Sequence, residues 1–349
     1  MADSSVRILF VPVSGPYGMG EFARSSAIAQ AVLARWPAVA VHFVLSARAP
    51  YAEGAPFPKT LLGSSPTFHS RAVIDLMRRW RPNVVVFDNA GRTSQLRAAR
   101  ALGARIVYIS ARARQRRKAF RLRWMRLIDE HWIAYPRFVA GELTLLEQLK
   151  LKLLRRPAVR YLDVILSRGP RGPRGPAGDY VLVIPGGGTG HPGAADAAHT
   201  FAAAARRLAA EGFETRFVGA GTSIPAGEPG AAHLHVLGAL PQSDLAALMR
   251  GARLIVANGG STLVQSIASG AACVAVAIAG DQRPRIRRCA LLNAAVEAQL
   301  SAEDIAAKAG ALLRDEGARE ALARSAAALG LEDGIEVALR ALGPLVEGT

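Results

Sequence analysis

Apolar residues fall in short runs separated by stretches with helical spacing. In the first half, Arg7–Val13, Val39–Leu45, Asn83–Phe87 and Ala104–Ile109 read as strands, and Phe22–Arg35 and Ser70–Arg79 as helices. In the second half, strands are expected at Tyr180–Ile184, Glu214–Val218, His233–Leu237, Leu254–Ala257 and Ala272–Ala277. Helices are expected at Ala194–Glu211, Ser243–Arg250 and Thr262–Ser269, and Ala302–Leu329 reads as Ala-rich helix. Buried strands that alternate with helices imply parallel sheets covered by helices, an α/β fold in each half.

The pattern breaks at Ser167–Asp179, where Gly-Pro-Arg triplets read as a linker or exposed loop. The expected organisation is a domain over 1–166, a linker over 167–179, a second domain over 180–333, and a closing segment 334–349. Its helix, Gly334–Leu342, is expected to pack back on the first domain.

Composition changes this picture little, but charge changes it a good deal. Of the net +17, residues 1–166 carry all of it, with 27 Lys and Arg against 10 Asp and Glu; residues 167–349 carry 17 of each. Such asymmetry implies an anionic partner for the first half: a membrane surface, a phosphorylated acceptor or nucleic acid. Nine basic residues and no acidic one lie within Arg105–Arg126, with Phe120 and Trp124 at helical spacing. Read as a basic amphipathic helix, Arg112–Arg126 is expected to meet an anionic membrane; the plain alternative is a core-facing helix with a solvated Arg face. Glu142–Arg156 is a second Leu-rich stretch with a basic tail. No nucleic-acid motif accompanies the charge, so no nucleic acid is expected.

No apolar stretch is long enough to span a bilayer, and Val6–Val13 reads as a first strand rather than a secretory segment. Cys273 and Cys289 lack metal-ligand spacing and suit a reducing compartment. A cytoplasmic protein is therefore expected, with peripheral attachment to the inner membrane face.

Several loops at strand ends carry candidate chemistry. The stretch Ala257–Ala290 begins with a strand end, Asn258-Gly259-Gly260, followed by a helix start at Ser261-Thr262. Glycines let a ligand approach the backbone, and the free N–H groups of a helix start favour phosphate. Ser261 and Thr262 either cap that helix or bond a phosphate oxygen. Gln265 lies one turn on, within reach of a ribose. The next strand ends before Asp281 and Gln282, which suit sugar hydroxyls. The second loop, Ile184–Gly193, offers Gly187, Gly188 and Gly190 for a tight turn beside phosphates, and His191 as a phosphate or sugar partner. The third, Ser14–Arg24, holds Glu21, read either as a catalytic base or as a first-turn acid that complements the helix dipole. Asp88 is a second base candidate or a cap, and His191 is next in line.

The Asn258–Cys289 stretch resembles the sugar-nucleotide-binding motif of GT-B glycosyltransferases. It is similar to the family of the N-acetylglucosaminyltransferase that completes lipid II and to UDP-glycosyltransferases. The resemblance implies two Rossmann-like domains facing across a cleft. It implies that Gly260, Ser261 and Thr262 meet a diphosphate, and that Asp281 and Gln282 meet the sugar. Gln265 stands where the family usually has Glu, which leaves the nucleotide open. The implied activity is inverting transfer from a nucleoside diphosphate sugar, most simply a UDP-sugar, to a lipid-linked, polysaccharide or other cell-envelope acceptor. No cofactor is expected, nor a metal, because no Asp-x-Asp pair is present. A nucleotide-sugar hydrolase or 2-epimerase on the same fold is the alternative. A non-enzymatic basic adaptor for anionic lipid or nucleic acid is the second.

Overall fold

The computed structural model describes residues 6–16, 18–166, 178–186, 195–219, 231–238 and 240–347. These form two compact units: Met1–Ile165 with Glu332–Thr349, and Leu166–Leu331.

In the first unit the chain runs β1 (Arg7–Pro12), α1 (Gly20–Arg35), β2 (Ala40–Ser46), β3 (Lys59–Leu62), α2 (Ser70–Trp80), β4 (Val84–Asp88), α3 (Thr93–Ala101) and β5 (Arg105–Ser110). It continues through α4 (Ala113–Ala119), α5 (Leu122–Met125), β6 (Glu130–Ile133), α6 (Arg137–Ala140), α7 (Leu145–Leu154) and β7 (Ala158–Tyr161). The seven strands form one sheet in the order β3-β2-β1-β4-β5-β6-β7. Every pairing in it is parallel.

The second unit holds β8 (Val181–Ile184), α8 (Ala195–Ala210), β9 (Thr215–Val218), β10 (Leu234–Leu237), α9 (Gln242–Gly251), β11 (Leu254–Asn258) and α10 (Ser261–Ser269). It closes with β12 (Ala272–Val276), α11 (Arg283–Leu291), β13 (Val296–Ala298), α12 (Ala302–Arg314) and α13 (Glu316–Ala328). Its sheet order is β10-β9-β8-β11-β12-β13, again wholly parallel.

Parallel sheets must be covered on both faces, and the central strands carry the sequences for it. Residues of β4 and β11 are buried from end to end. In each sheet the strand order reverses once: between β1 and β4, and between β8 and β11. Loops leave such a point in opposite directions and open a crevice at the carboxyl ends of the strands, where ligands bind in open α/β sheets.

The last helix, α14 (Gly334–Glu347), belongs to the first unit. Val337, Ala338, Ala341, Leu342 and Val346 join the core formed by Ile8, Phe10, Ile28, Val32 and Phe43. A parallel bridge between Val164 and Asp333 delivers the chain to this position, and the Gly334 N–H donates to the Val164 carbonyl at 2.7 Å. The Trp36 indole N–H donates to Glu347 at 3.0 Å near the other end.

Two expectations require correction. Ala302–Leu329 is not one helix: at Asp315 the backbone turns extended, and the Asp315 carboxylate accepts the Ala318 N–H at 2.9 Å to start α13. Nor is Arg112–Arg126 one amphipathic helix. It comprises α4 and the single-turn α5, with Phe120 and Trp124 turned inward at 2% and 0% exposure. Trp124 packs edge-on against Tyr108, with ring centroids 5.2 Å apart, and donates its indole N–H to Thr93 at 3.1 Å. Neither aromatic is available to a membrane. Arg116 is likewise structural: it pairs with Glu147 at 2.8 Å and donates to the carbonyls of Ala140, Gly141 and Glu142. No helix among the described residues is long and apolar enough to cross a membrane.

Because Leu342 is fully buried in the first unit's core, Leu342→Ala should destabilise that unit by about 2–5 kcal/mol. Urea unfolding followed by tryptophan fluorescence measures this. A change under about 0.5 kcal/mol would remove α14 from the core.

Candidate functional site

Each reversal point carries a buried polar residue at the end of its inner strand: Asp88 on β4 and Asn258 on β11. A buried polar side chain must find partners: Asp88 finds them on α1, and Asn258 in the two loops that adjoin it.

In the second unit, Asn258 reaches both ways. Its Nδ2 donates to the Pro185 carbonyl in the loop after β8, and its Oδ1 accepts the Gly260 N–H at 2.6 Å. Gly186 adopts φ +78°, and a β-carbon there would run into the Asn258 amide. Only glycine allows this close approach of the two loops. Gly187, Gly188, Gly190 and His191 lie outside the described residues.

The turn Gly259-Gly260 delivers the chain to α10. The N–H groups of a helix's first turn lack intrahelical acceptors; here Gly260 is the N-cap, and no side chain among the described residues caps the helix. Ser261 is exposed there, while Thr262 and Gln265 are half-buried. Such a helix start attracts anions through its N–H groups and its positive dipole end.

Gln282 and Asp281 part company. Gln282 is buried, and its Oε1 accepts the N–H groups of Ile278 at 3.0 Å and Gly259 at 3.2 Å. The side chain therefore ties the loop after β12 to the loop after β11. Its oxygen serves the protein's own backbone, a structural task that the sequence reading did not foresee. Asp281 is 60% exposed on its side chain and lies 3.7 Å from Arg285.

Arg285 was missed in the sequence. Its side chain is 10% exposed and donates to the Gly259 carbonyl, so it braces the glycine turn from below. No motif signalled it, since Asp281 lies in the turn before α11 and Arg285 within its first turn. A hollow of about 510 Å³ in the same unit lies elsewhere, beside Arg250, Arg253, Ala272 and Arg319, at the amino end of the sheet.

In the first unit the crevice is lined by a cluster of charges. Asp88 is fully buried, and Arg24 grips it through two bonds of 2.9 and 2.6 Å, with Ser25 adding a third at 3.2 Å. Burial pushes the Asp88 carboxyl up to about 6 against the opposing pull of Arg24. Both its oxygens are occupied, so its geometry is that of an anchor for α1.

Glu21, one turn earlier on α1, is different. Its Oε1 accepts the Asn89 amide at 2.9 Å, and Arg112 lies 3.8 Å away. Asn89 is itself fixed in the left-handed region at φ 51°, with its Oδ1 accepting the Ala111 N–H at 2.9 Å. Glu21 is thus aimed by a rigid neighbour, and 15% of its side chain remains open to solvent. Burial, with Glu21 nearby, pushes the Tyr51 phenol upward, so it stays protonated beside the carboxylate. Asn89 and Tyr51 were also missed, since neither belongs to a motif with Glu21.

If Gln282 is a structural tie, Gln282→Leu should destabilise the ligand-free protein by about 1–3 kcal/mol, because the buried Ile278 N–H loses its acceptor. Thermal and urea unfolding without ligand measure this; an unchanged stability would return Gln282 to a purely ligand-facing role.

No family model matches the sequence, and no curated protein matches it. Solved structures, in contrast, resemble it over nearly its whole length. The spinosyn forosaminyltransferase SpnP is 16% identical with a TM-score of 0.65, covering 97% of this chain and 99% of that one. MurG of Acinetobacter baumannii is 14% identical with a TM-score of 0.62, covering 99% and 100%. A putative UDP-N-acetylglucosamine 2-epimerase from Listeria monocytogenes is 14% identical with a TM-score of 0.59, covering 99% and 98%. With two wholly parallel Rossmann-like sheets and these likenesses, the chain has the GT-B fold shared by many glycosyltransferases.

Proposed function

We propose that the protein transfers a sugar from a nucleoside diphosphate sugar, bound at the start of α10, to an acceptor hydroxyl. One observation carries the reading: a helix start with no side-chain cap among the described residues stands at the reversal point of the second sheet, with Gly186 and Gly260 leaving room for the Asn258 side chain that joins the two loops. In this reading the first-turn N–H groups of α10 hold the diphosphate. Asp281, exposed beside them, bonds sugar hydroxyls, and Gln265 meets the ribose.

The acceptor hydroxyl attacks the anomeric carbon as the bond to the diphosphate breaks, and a single displacement inverts that centre. The hydroxyl proton passes to a carboxylate. Glu21 fits this role better than Asp88, because Arg24 already occupies both Asp88 oxygens. The helix start stabilises the negative charge that gathers on the leaving diphosphate, a preorganised arrangement that needs no rearrangement during the reaction. A lipid-linked or other cell-envelope acceptor suits the basic first half.

A second reading is favoured by the likeness to the putative 2-epimerase: turnover of the nucleotide sugar with no acceptor. Consumption of UDP-, TDP- or GDP-sugars in the absence of any acceptor would select it over transfer.

A thermal-shift series with UDP-, TDP- and GDP-sugars identifies the nucleotide, since a bound ligand raises stability by mass action. Ser261→Glu then tests the site. Ser261 is exposed, and a carboxylate suits the first turn of a helix, so the fold should hold while the diphosphate is repelled. Affinity should fall by about a hundredfold; an unchanged affinity would displace the site from α10. Gly260 is the poorer choice, because a side chain there meets Asn258 Oδ1 at 2.7 Å.

Glu21→Gln should lower the chemical rate by about 10²–10⁴ with nucleotide-sugar affinity unchanged, read from single-turnover kinetics. Near-normal turnover would remove Glu21 as the base.

A further inference from the structure

Helix α7 is inside out. A surface helix normally buries its apolar stripe and shows its polar face. Here the buried residue is Glu147, which completes a capping box with Thr144 and is gripped by Arg116. The leucines point the other way: Leu145, Leu146, Leu149 and Leu153 are 84%, 60%, 62% and 74% exposed. Their spacing places them on one face. Lys150 reaches from α7 to the Phe120 carbonyl at 3.2 Å, so α7 borders the turn between α4 and α5, and Leu122 at the start of α5 is also exposed at 44%.

The charge around this face is of one sign. Asp129, Glu130, Glu142 and Glu147, the carboxylates of residues 105–160, are all engaged by arginines. Arg117, Arg121, Arg123, Arg126, Lys152 and Arg155 are exposed and have no carboxylate partner among the described residues. Burial and the surrounding Arg92, Arg121, Arg114 and Arg123 push the Lys118 ammonium down to about 8, a sign of the local positive potential.

We propose that the outward leucine face of α7, with the cations around it, docks the first unit on an anionic lipid bilayer. The leucines enter the boundary between headgroups and acyl chains, and the arginines and lysines meet the lipid phosphates. A second copy of this chain is a poor occupant, since it brings the same positive surface against itself. A neutral apolar partner leaves the cations unanswered. The exposed leucines of α7, and not the buried Phe120 and Trp124, form the apolar element that enters the membrane, and the functional meaning of this docking rests on the proposed lipid-linked acceptor.

Co-sedimentation of the full chain with vesicles tests it, in the absence of any nucleotide sugar. Vesicles of phosphatidylcholine alone are compared with vesicles that also contain phosphatidylglycerol, at low and high salt. The protein should bind the anionic vesicles about tenfold more tightly or better, and lose that preference as salt rises. Leu149→Glu with Leu153→Glu should reduce binding by about tenfold or more at an unchanged melting temperature, because both side chains are already in solvent. Arg121→Ser with Arg123→Ser should weaken binding and flatten its salt dependence, a second route if the first variant folds poorly.

Three results would overturn the inference: no binding to either vesicle, full binding by the leucine variant, or a dimer in solution that the leucine variant splits while vesicles are ignored. Thermal shift with nucleotide sugars on the same preparations separates the two proposals. A protein that docks on vesicles but binds no nucleotide sugar keeps this surface and loses the transferase reading; the reverse result does the opposite.

Discussion

Both sheets depend on one constraint: a fully buried inner strand that ends in a polar side chain at the point where the strand order reverses. Asp88 and Asn258 occupy this position in the two units. A polar group there is costly unless neighbours satisfy it. Asp88 is satisfied by Arg24 and Ser25 of α1, and Asn258 by Pro185 and Gly260 from the loops on either side. In meeting that demand, the chain fixes the loops that form each crevice. The charged pair holds α1, and with it Glu21, against the sheet. The amide holds the glycine turn that starts α10.

The two crevices share a topology but differ in chemistry. The first gathers ionised groups, with Glu21 aimed by Asn89 and neighboured by Tyr51 and Arg112. The second presents mainly backbone, with Asp281 exposed at its rim. Carboxylates at one reversal point and helix-start N–H groups at the other suit proton removal and anion binding, respectively. The fold is common to enzymes of different activities, so function is argued from these sites and not from the fold.

Much of the architecture was legible in the sequence because the central strands are continuous apolar runs: NVVVF and LIVA are short, rich in β-branched residues, and suit a strand buried on both faces. The strands that escaped notice, β3, β6, β7 and β13, are three or four residues long and lie at or next to the sheet edges. β3 and β7 have no buried residue, and β6, though buried throughout, begins with the polar pair Glu130-His131 and so does not read as an apolar run. The strand–glycine–helix motif at Asn258–Thr262 was readable as chemistry, since its parts are adjacent in the chain. Gln282 was visible as a polar residue in the right loop, but its bond to the Ile278 N–H depends on how two loops fold together. Periodicity also misled at Phe120 and Trp124, where helical spacing continues across a break between α4 and α5. In α7 the leucines were plain, but the burial of Glu147 by Arg116, from 31 residues away, was not.

The central claim is that anionic ligand meets the backbone at the start of α10. Amide hydrogen exchange, with and without the nucleoside diphosphate sugar that binds best, tests it at the groups concerned. The account predicts slowed exchange at the amides of residues 261–263, with smaller effects near Ile278 and no primary effect at the amino end of the sheet. Exchange at those amides unchanged under saturating ligand, with protection centred elsewhere in the chain, would contradict it.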